Sequence, residues 1–239
     1  MADSPPAVAM ADSPPAVALP PRILVTGGCG FVGGHLVRHL LRTESTVFNL
    51  DKLGYCSDAE SVAAAAAAAA GCAERHVLLH VDLSDAAATL SAVRTADPDL
   101  VLHLAAESHV DRSIDSASAF VDSNIVGTLH LLEALRAHFA GLDAGRRAAF
   151  RCLHCSTDEV FGSLELGGGA SAARFSESSP YNPRSPYAAT KAASDHLARS
   201  WWHTHGLPVV LTHCSNNYGA RQFPEKLLPV VVLKHRSCC

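Results

Sequence analysis

Apolar and polar residues follow two distinct periods from residue 22 onward. Short apolar runs predict strands at 22–26, 46–50, 76–81, 100–104, 149–155 and 208–213. Apolar positions with helical spacing lie between several of these runs, notably at 31–42, 86–95 and 118–139. Regular alternation of strands and helices is typical of βαβ units, in which the strands run parallel. We therefore predict an α/β fold built on a doubly wound parallel sheet.

A run of glycines follows the first predicted strand directly. Residues 22–26 read RILVT, and the glycine run comes next. The run fits GxxGxxG through Gly27, Gly30 and Gly33, and it fits GxGxxG when Gly28 replaces Gly27. Such glycines permit a tight turn and let backbone N–H groups approach a pyrophosphate at the start of the next helix. The order of strand, glycines and helix predicts a Rossmann-like dinucleotide site.

An acidic residue ends the second predicted strand. Asp51 follows the run at 46–50, close to the distance expected for a carboxylate that binds the adenosine ribose. A carboxylate in that place should repel a 2′-phosphate, although the neighbouring Lys52 weakens the argument. We therefore predict NAD, rather than NADP, as the cofactor.

Composition limits the classes of function. The chain has 239 residues, is 48% hydrophobic and 18% charged, and carries a formal net charge of −4. This mild acidity gives no reason to predict nucleic acid or an anionic membrane as a partner. No apolar run approaches the roughly 18 residues that a membrane-spanning helix needs. The segment MADSPPAVA at 1–9 recurs at 10–18 and lacks the regions of a secretory signal. We predict a disordered leader over 1–20 and a cytoplasmic location.

Cysteines and histidines invite a metal or redox interpretation. Cys152 and Cys155 form a CxxC motif, but they lie in a predicted strand, where positions i and i+3 point to opposite faces. The sequence contains no second CxxC motif to complete a zinc site. His203 and His205 have no third ligand nearby in the sequence and are expected on a helix surface. We predict reduced thiols and no metal.

Two clusters of titratable residues predict the chemistry. Thr157, Asp158 and Glu159 follow a predicted strand. Tyr187 and Lys191, at i and i+4 of a predicted helix, should share one face with their Cβ atoms roughly 5–6 Å apart. We expect the ammonium to lower the pKa of the phenol and make it a usable base. The two carboxylates add proton carriers that a simple dehydrogenase does not need, which suggests redox chemistry coupled to elimination.

These motifs together resemble the extended short-chain dehydrogenase/reductase family and, within it, the nucleotide-sugar 4,6-dehydratases. The matching segments are TGGCGFVGGHLV (26–37), LDKLGYCS (50–57), HLAAESHVDRSI (103–114), STDEVFG (156–162), SPYAATKAASDHL (185–197) and SNNYGARQFPEKLLP (215–229). The chain departs from the family pattern at Phe161, His213 and Ala220. It also stops before the strands that would complete the family's substrate lobe, so we expect a fragment.

The resemblance implies a reaction on a nucleotide-activated glucose, with dTDP-glucose as the expected substrate. Tyr187 would take the proton of the C4 hydroxyl while the C4 hydride passes to NAD+. Glu159 would remove the C5 proton and Asp158 would protonate the departing C6 hydroxyl, after which the hydride returns to C6. Thr157 would hydrogen-bond the O4 region, and Lys191 would hold the nicotinamide ribose. The implied enzyme is an NAD-dependent hydro-lyase of nucleotide-sugar metabolism that feeds rhamnose-type deoxysugar synthesis.

The same resemblance implies the remaining contacts. Residues expected to line NAD, besides Tyr187 and Lys191, are Gly27, Gly30, Phe31, Val32, Gly33, Asp51, Lys52, Asp82, Leu83, Leu104, Ala105, Ala106, Ser123 and Asn217. Residues expected to meet the sugar nucleotide are Ser108, Thr157, Asn216, Lys226 and Leu227. Lys226 also has a physical rationale, because a diphosphate needs a counter-charge. Asp82 could equally cap a turn before Ser84.

The expected organisation is an NAD-binding Rossmann domain over 21–213, followed over 214–239 by the incomplete start of a substrate-binding lobe. Because family members commonly dimerise through a pair of helices, the segments 118–139 and 187–205 are expected to form a homodimer contact.

Three alternatives stay open at this stage. The base of the nucleotide could be uracil, giving a UDP-glucose 4,6-dehydratase. An epimerase or decarboxylase on the same fold would share Tyr187 and Lys191, but those enzymes generally lack an Asp-Glu pair after the threonine. A catalytically inactive NAD-binding protein would bind the cofactor without turnover.

Overall fold

The polypeptide forms one parallel sheet flanked by helices, as seen in a computed structural model that describes residues 18–68, 73–164 and 174–237. The strands are β1 (Arg22–Thr26), β2 (Thr46–Asp51), β3 (His76–His80), β4 (Leu100–His103), β5 (Arg151–Thr157) and β6 (Val209–Cys214). The α-helices are α1 (Phe31–Leu40), α2 (Ala59–Ala68), α3 (Ala86–Ala96), α4 (Val110–Asp115), α5 (Ala117–Phe120), α6 (Gly127–Gly141), α7 (Ala144–Ala149), α8 (Pro186–His205) and α9 (Leu227–Ser237). Single 3-10 turns occur at Ala73–Arg75 and Asp158–Phe161, and a π-helical segment spans Val121–Val126.

The sheet has the order β3-β2-β1-β4-β5-β6, and every neighbouring pair of strands is parallel. This confirms the predicted doubly wound architecture, and each predicted strand lies within two residues of the observed one. The order of strands reverses between β1 and β4, where the carboxyl ends of a parallel sheet leave a crevice. The glycine run follows β1 and Thr157 ends β5 at this edge, so the topology brings the two predicted clusters to one edge of the sheet.

Side chains of alternate residues on each strand feed two cores. On β1, Ile23 and Val25 join a cluster with residues of α1 and α2, whereas Leu24 joins the cluster formed with α3 and α6. This division is expected from the two-residue period of a strand. All three side chains are fully buried, so β1 is the hydrophobic centre of the molecule.

The helix predicted at 118–139 is interrupted in the structure. Its path comprises α5, the π-helical segment and α6 in direct succession. Asn124 lies in the π-helical segment, and its amide exchanges two hydrogen bonds with the backbone of Glu107, at 2.8 and 3.0 Å. The same amide donates to Thr190 on α8 at 3.0 Å. A widened turn here therefore joins the segment after β4 to α8.

Two predicted segments fall partly outside the described residues. The leader predicted at 1–20 includes residues 1–17, and the glycine- and serine-rich segment 162–180, whose composition predicts a loop, includes residues 165–173; both of these ranges lie outside the described residues. The sequence PEKLLPVVVLK at 224–234 predicts a short helix, but α9 begins at Leu227. The preceding residues form a turn in which Glu225 N–H donates to the Phe223 carbonyl at 2.8 Å.

Candidate active site

The glycine turn connects β1 to α1 in a conformation that requires glycine. Gly27 has φ +72°, and a Cβ there would lie 2.8 Å from Ala105 Cα. A Cβ at Gly33 would collide with the Gly27 carbonyl oxygen. Gly30 N–H donates to that same carbonyl at 3.1 Å, and α1 begins at the next residue, Phe31. Because Gly30 has no side chain to cap the helix, the N–H groups of the first turn can receive an anion.

Asp51 lies at the end of β2 against this turn. The side chain is almost fully buried, with 5% relative exposure. Cys29 N–H donates to one carboxylate oxygen at 2.9 Å, while Leu53 N–H and the Ser57 hydroxyl donate to the other at 2.8 and 3.0 Å. An ionised carboxylate can accept about four hydrogen bonds. One acceptor position is therefore left open, and the three donors hold the carboxylate in place.

Lys52 and Ser123, both predicted to line the cofactor, contact each other in the structure. The Lys52 ammonium donates to the Ser123 hydroxyl at 3.2 Å and forms an ion pair with Glu107 at 2.6 Å. Glu107 was missed in the sequence, although its place just after β4 was a signal. Its carboxylate offsets the Lys52 charge, which removes the main objection to NAD over NADP.

The segment after β4 is held against the glycine turn by Thr26. The Thr26 hydroxyl accepts hydrogen bonds from Leu104 N–H and Ala105 N–H, each at 3.2 Å. His103 Nδ1 lies 2.7 Å from the same hydroxyl. The predicted contacts Leu104, Ala105 and Ala106 thus follow β4 directly beside Gly27.

Asp82 and Leu83 have local structural roles. The Asp82 carboxylate accepts from Ser84 N–H at 2.9 Å, which is the turn-capping arrangement. Leu83 is 5% exposed and belongs to the main core, and its carbonyl hydrogen-bonds with His130 Nδ1 at 3.1 Å. Phe31 is half-buried at the start of α1, whereas Val32 is 42% exposed.

The Thr-Asp-Glu cluster is shaped by a single 3-10 turn. Thr157 ends β5 and caps this turn, accepting from Glu159 N–H at 3.3 Å through its hydroxyl. Burial raises the pKa of Glu159 above its usual 4.5, and the neighbouring Asp158 carboxylate raises it further. The Lys226 ammonium acts in the opposite direction. A carboxylate with a raised pKa is a stronger base than an exposed one.

Tyr187 lies in the first turn of α8 and faces the Thr-Asp-Glu cluster. Burial raises its pKa well above 10, and the Glu159 charge raises it further, whereas a hydrogen bond with Thr157 opposes the shift. The expectation of a pKa near neutrality is therefore wrong for this arrangement. Its physical reason is that a buried phenolate beside a carboxylate is poorly solvated and repelled.

Lys191 is directed elsewhere. Its side chain is buried, at 4% exposure, and its ammonium donates to the Cys155 carbonyl on β5 at 2.8 Å. Burial lowers the pKa of Lys191, and the charge of Asp195 partly offsets that effect. Lys191 and Tyr187 share one helix face as predicted, but the ammonium is bonded to the backbone of β5.

Asp195 is a buried carboxylate that the sequence interpretation missed. It is fully buried and accepts from the Ser156 hydroxyl at 2.8 Å and the Tyr181 hydroxyl at 3.1 Å. His213 and His154 lie 3.1 and 3.2 Å from its two oxygens. Burial lowers the pKa of His154 to about 4, so that imidazole is neutral at pH 7. The signal available in the sequence was the position of Asp195 four residues after Lys191, on the same helix face.

The segment after β6 brings two predicted substrate contacts together. The Lys226 ammonium donates to the Ser108 carbonyl at 2.9 Å. The Tyr55 hydroxyl donates to Glu225 at 2.8 Å, which anchors this segment; sequence reasoning did not single out Glu225.

The remaining predicted contacts of this segment are exposed. Asn216 is exposed, and Asn217 donates through its side-chain amide to the Ser215 carbonyl at 3.1 Å. Leu227 begins α9 and is 77% exposed.

Within the described ranges, no group of His, Cys, Asp and Glu side chains is arranged to hold a metal ion. His203 and His205 are exposed on α8, and Cys152 and Cys155 are free thiols. None of the helices in the part of the chain that the structure describes is long and apolar enough to cross a bilayer.

The parallel sheet, the glycine turn and the Tyr187–Lys191 pair on α8 define an extended short-chain dehydrogenase/reductase. The family model described as GDP-mannose 4,6 dehydratase matches residues 24–237, and the chain belongs to this family. It is 48% identical to dTDP-glucose 4,6-dehydratase 1 of Escherichia coli K12 over 217 residues. The matched region covers 89% of this chain and 59% of that protein. The chain thus spans about three fifths of the length of the curated relatives it matches.

Solved structures give the same result. The dTDP-glucose 4,6-dehydratase DesIV of Streptomyces venezuelae, solved with NAD bound, has a TM-score of 0.76 and 40% identity, covering 91% of this chain and 62% of that one. The UDP-glucose 4-epimerase of Thermus thermophilus, also solved as a complex with NAD, has a TM-score of 0.73 and 32% identity. The match covers 89% of this chain and 60% of the epimerase chain. The fold is therefore shared by dehydratases and epimerases.

Proposed function

We propose that this chain carries out the NAD-dependent dehydration of dTDP-glucose to its 4-keto-6-deoxy derivative. The observation that carries the proposal is the meeting of two acidic side chains with a tyrosine. Asp158 and Glu159 follow β5 directly, and Glu159 lies close enough to Tyr187 for its charge to raise the pKa of the phenol. Water elimination needs both an acid and a base beside the substrate, and neighbouring carboxylates can be driven apart in pKa by their surroundings.

The residues at the carboxyl edge of the sheet fit NAD. The turn through Gly27, Gly30 and Gly33 would receive the pyrophosphate, because it presents helix N–H groups without a capping side chain. Asp51 would accept from the adenosine ribose, and the Lys52–Glu107 pair leaves little net charge there for a 2′-phosphate. When bound, NAD supplies reversible hydride transfer.

The proton carriers have distinct tasks in this proposal. Tyr187 accepts the proton of the C4 hydroxyl, while Thr157 orients O4. Glu159, whose pKa burial raises, accepts the C5 proton, and Asp158 donates to the departing C6 oxygen. The raised pKa of Tyr187 means that it must first be lowered. Transfer of the Lys191 ammonium from the Cys155 carbonyl toward the phenol would lower it, because a nearby cation favours phenolate.

Lys226 is the proposed counter-charge for the substrate diphosphate. Its ammonium now donates to the Ser108 carbonyl, one of the residues expected to meet the sugar nucleotide. The dehydratase relatives at 48% and 40% identity are named for dTDP-glucose, which favours thymine over uracil as the base.

The 4-epimerase reaction is the competing assignment, because an epimerase shares the fold at 32% identity. Epimerisation needs the tyrosine but no acid–base pair for losing water. The direct succession of Thr157, Asp158 and Glu159 therefore favours dehydration.

The Glu159→Gln variant tests the proposal. Incubated with NAD+ and dTDP-glucose, it should oxidise C4 but fail to eliminate water, so the absorbance of reduced cofactor should rise and persist. Glu133→Gln is the matched control, because Glu133 pairs with Arg136 on the exposed surface of α6. Unchanged water loss by Glu159→Gln would overturn the assignment of the C5 base. Cofactor binding without any turnover by the unmodified chain would favour the inactive NAD-binding alternative.

Three further expectations stay predictions. They are the boundary between an NAD-binding domain at 21–213 and a substrate lobe from 214, a homodimer formed through 118–139 and 187–205, and a cytoplasmic location. Sedimentation of the purified chain tests the dimer directly.

A further inference from the structure

Two thiols meet beside the proton carriers. Cys155 on β5 is opposite Thr212, and Cys214 on β6 is opposite Thr157. Because residues two apart on a strand point to the same face, both thiols project from one side of the sheet on adjacent strands. Cys155 and Cys214 lie 3.9 and 3.3 Å through their sulfurs from a single acceptor, the Ser156 carbonyl oxygen.

The two thiols also interact with each other. A hydrogen bond between them raises the pKa of Cys155 and lowers the pKa of Cys214, so Cys214 is the thiol that ionises more readily. Asn217 adds a second hydrogen bond that lowers the pKa of Cys214. Cys214 is exposed and Cys155 is half-buried. An exposed thiol that ionises readily beside a second thiol is the arrangement of an attacking cysteine and its resolving partner.

We propose that Cys155 and Cys214 are a reversible oxidation site that forms an intramolecular disulfide with small-molecule disulfides. The Cys214 thiolate attacks one sulfur of the oxidant, RSSR, forming a mixed disulfide and releasing one RS⁻. Cys155 then gives its proton to the released thiolate, and its sulfur attacks Cys214, which expels the second RS⁻. Two cysteine thiols are oxidised, and RSSR is reduced to two thiols.

This disulfide would change the site in two ways. It would tie β5 to β6 next to Thr157. The negative charge of ionised Cys214 raises the pKa of both Tyr187 and Lys191. The disulfide would remove that charge, so both pKa values should fall. The effect on turnover rests on the proposed function, whereas formation of the bond does not.

The test is disulfide mapping of the full chain. The fully reduced protein is treated with oxidised glutathione, digested without reductant and analysed by mass spectrometry. A peptide pair joined through Cys155 and Cys214, lighter by two hydrogen atoms than the free peptides, is expected in most molecules. Adding dithiothreitol should reverse it. Absence of this pair, with both thiols still open to alkylation, would overturn the proposal.

Two variants assign the order of events. In Cys155→Ser, the glutathione adduct should persist on Cys214, because no resolving thiol is present. Cys152→Ser is the matched control on the same strand, since Cys152 is buried at 2% exposure and should leave the Cys155–Cys214 link unchanged. A stable adduct on Cys155 in unmodified protein would contradict the proposed roles.

Discussion

Asp195 supports the polar network behind the proton carriers, and Asp195→Asn isolates the contribution of its charge. The amide has almost the same shape, so it can still accept from the Ser156 and Tyr181 hydroxyls. Each of those bonds changes from charge-assisted to neutral, which weakens it by about 1 kcal/mol. The buried Lys191 ammonium also loses its compensating carboxylate. Together these losses predict a decrease of about 2–4 kcal/mol in the free energy of unfolding at neutral pH.

The destabilisation should depend on pH with a definite sign. Burial lowers the pKa of Lys191 in the folded chain below its ordinary 10.5. Between the lowered pKa and 10.5, the unfolded chain therefore binds one more proton at Lys191 than the folded chain does. Stability should therefore rise with pH across that interval. Removing the Asp195 charge lowers the folded pKa further. The difference in free energy of unfolding between the parent and Asp195→Asn is consequently largest at neutral pH. It becomes smaller as the pH rises through the lowered pKa of Lys191.

Urea denaturation at several pH values between neutral and about pH 10 measures both effects. Glu133→Gln is the control, because it removes an exposed ion pair with Arg136 that is worth at most about 1 kcal/mol. A destabilisation by Asp195→Asn no larger than that of the control would refute the network's structural role. A gap that stays constant with pH would refute the coupling between Asp195 and Lys191.

Three other substitutions test separate parts of the site. Gly27→Ala should abolish NAD binding and lower the free energy of unfolding by more than about 1 kcal/mol, because φ is +72° and the added Cβ would collide with backbone atoms. Gly141→Ala is the control, since open space surrounds that position and the change should be neutral or stabilising. Calorimetry with NAD distinguishes the two variants. Burial raises the pKa of Glu159 above 4.5, so ionising this side chain at higher pH costs stability. Glu159→Gln should therefore have a higher urea midpoint than the parent at pH 7 and no advantage below pH 4.5. Equal midpoints at pH 7 would contradict this expectation. Lys226→Met should weaken dTDP-glucose binding about 10- to 100-fold by titration calorimetry, with Lys234→Met unchanged; equal affinities would remove Lys226 from the diphosphate site.

The period of hydrophobic residues was sufficient to predict the sheet. Buried strands such as β1 consist of short apolar runs, and the glycine turn identifies where the first strand ends. The positions of Asp51 and Thr157 followed from the same rule, since each ends a strand. Local sequence therefore predicted which residues lie at the carboxyl edge of the sheet.

Contacts between distant segments could not be predicted in the same way. The partner of Lys52 is Glu107, which is separated from it by two strands in the chain. The ammonium of Lys191 bonds the carbonyl of Cys155 on β5, so helical spacing alone gave the wrong pKa direction for Tyr187. Spacing fixes which side chains share a helix face, but their solvation and bonding partners depend on the packed tertiary structure.

The most direct test of the proposed function is the mass of the product formed by the purified chain with NAD+ and dTDP-glucose. Loss of one water, without accumulation of reduced cofactor, is predicted, because elimination and return of the hydride complete the cycle. A product of unchanged mass, or no product from protein that binds NAD, would contradict the proposal that this chain is a 4,6-dehydratase.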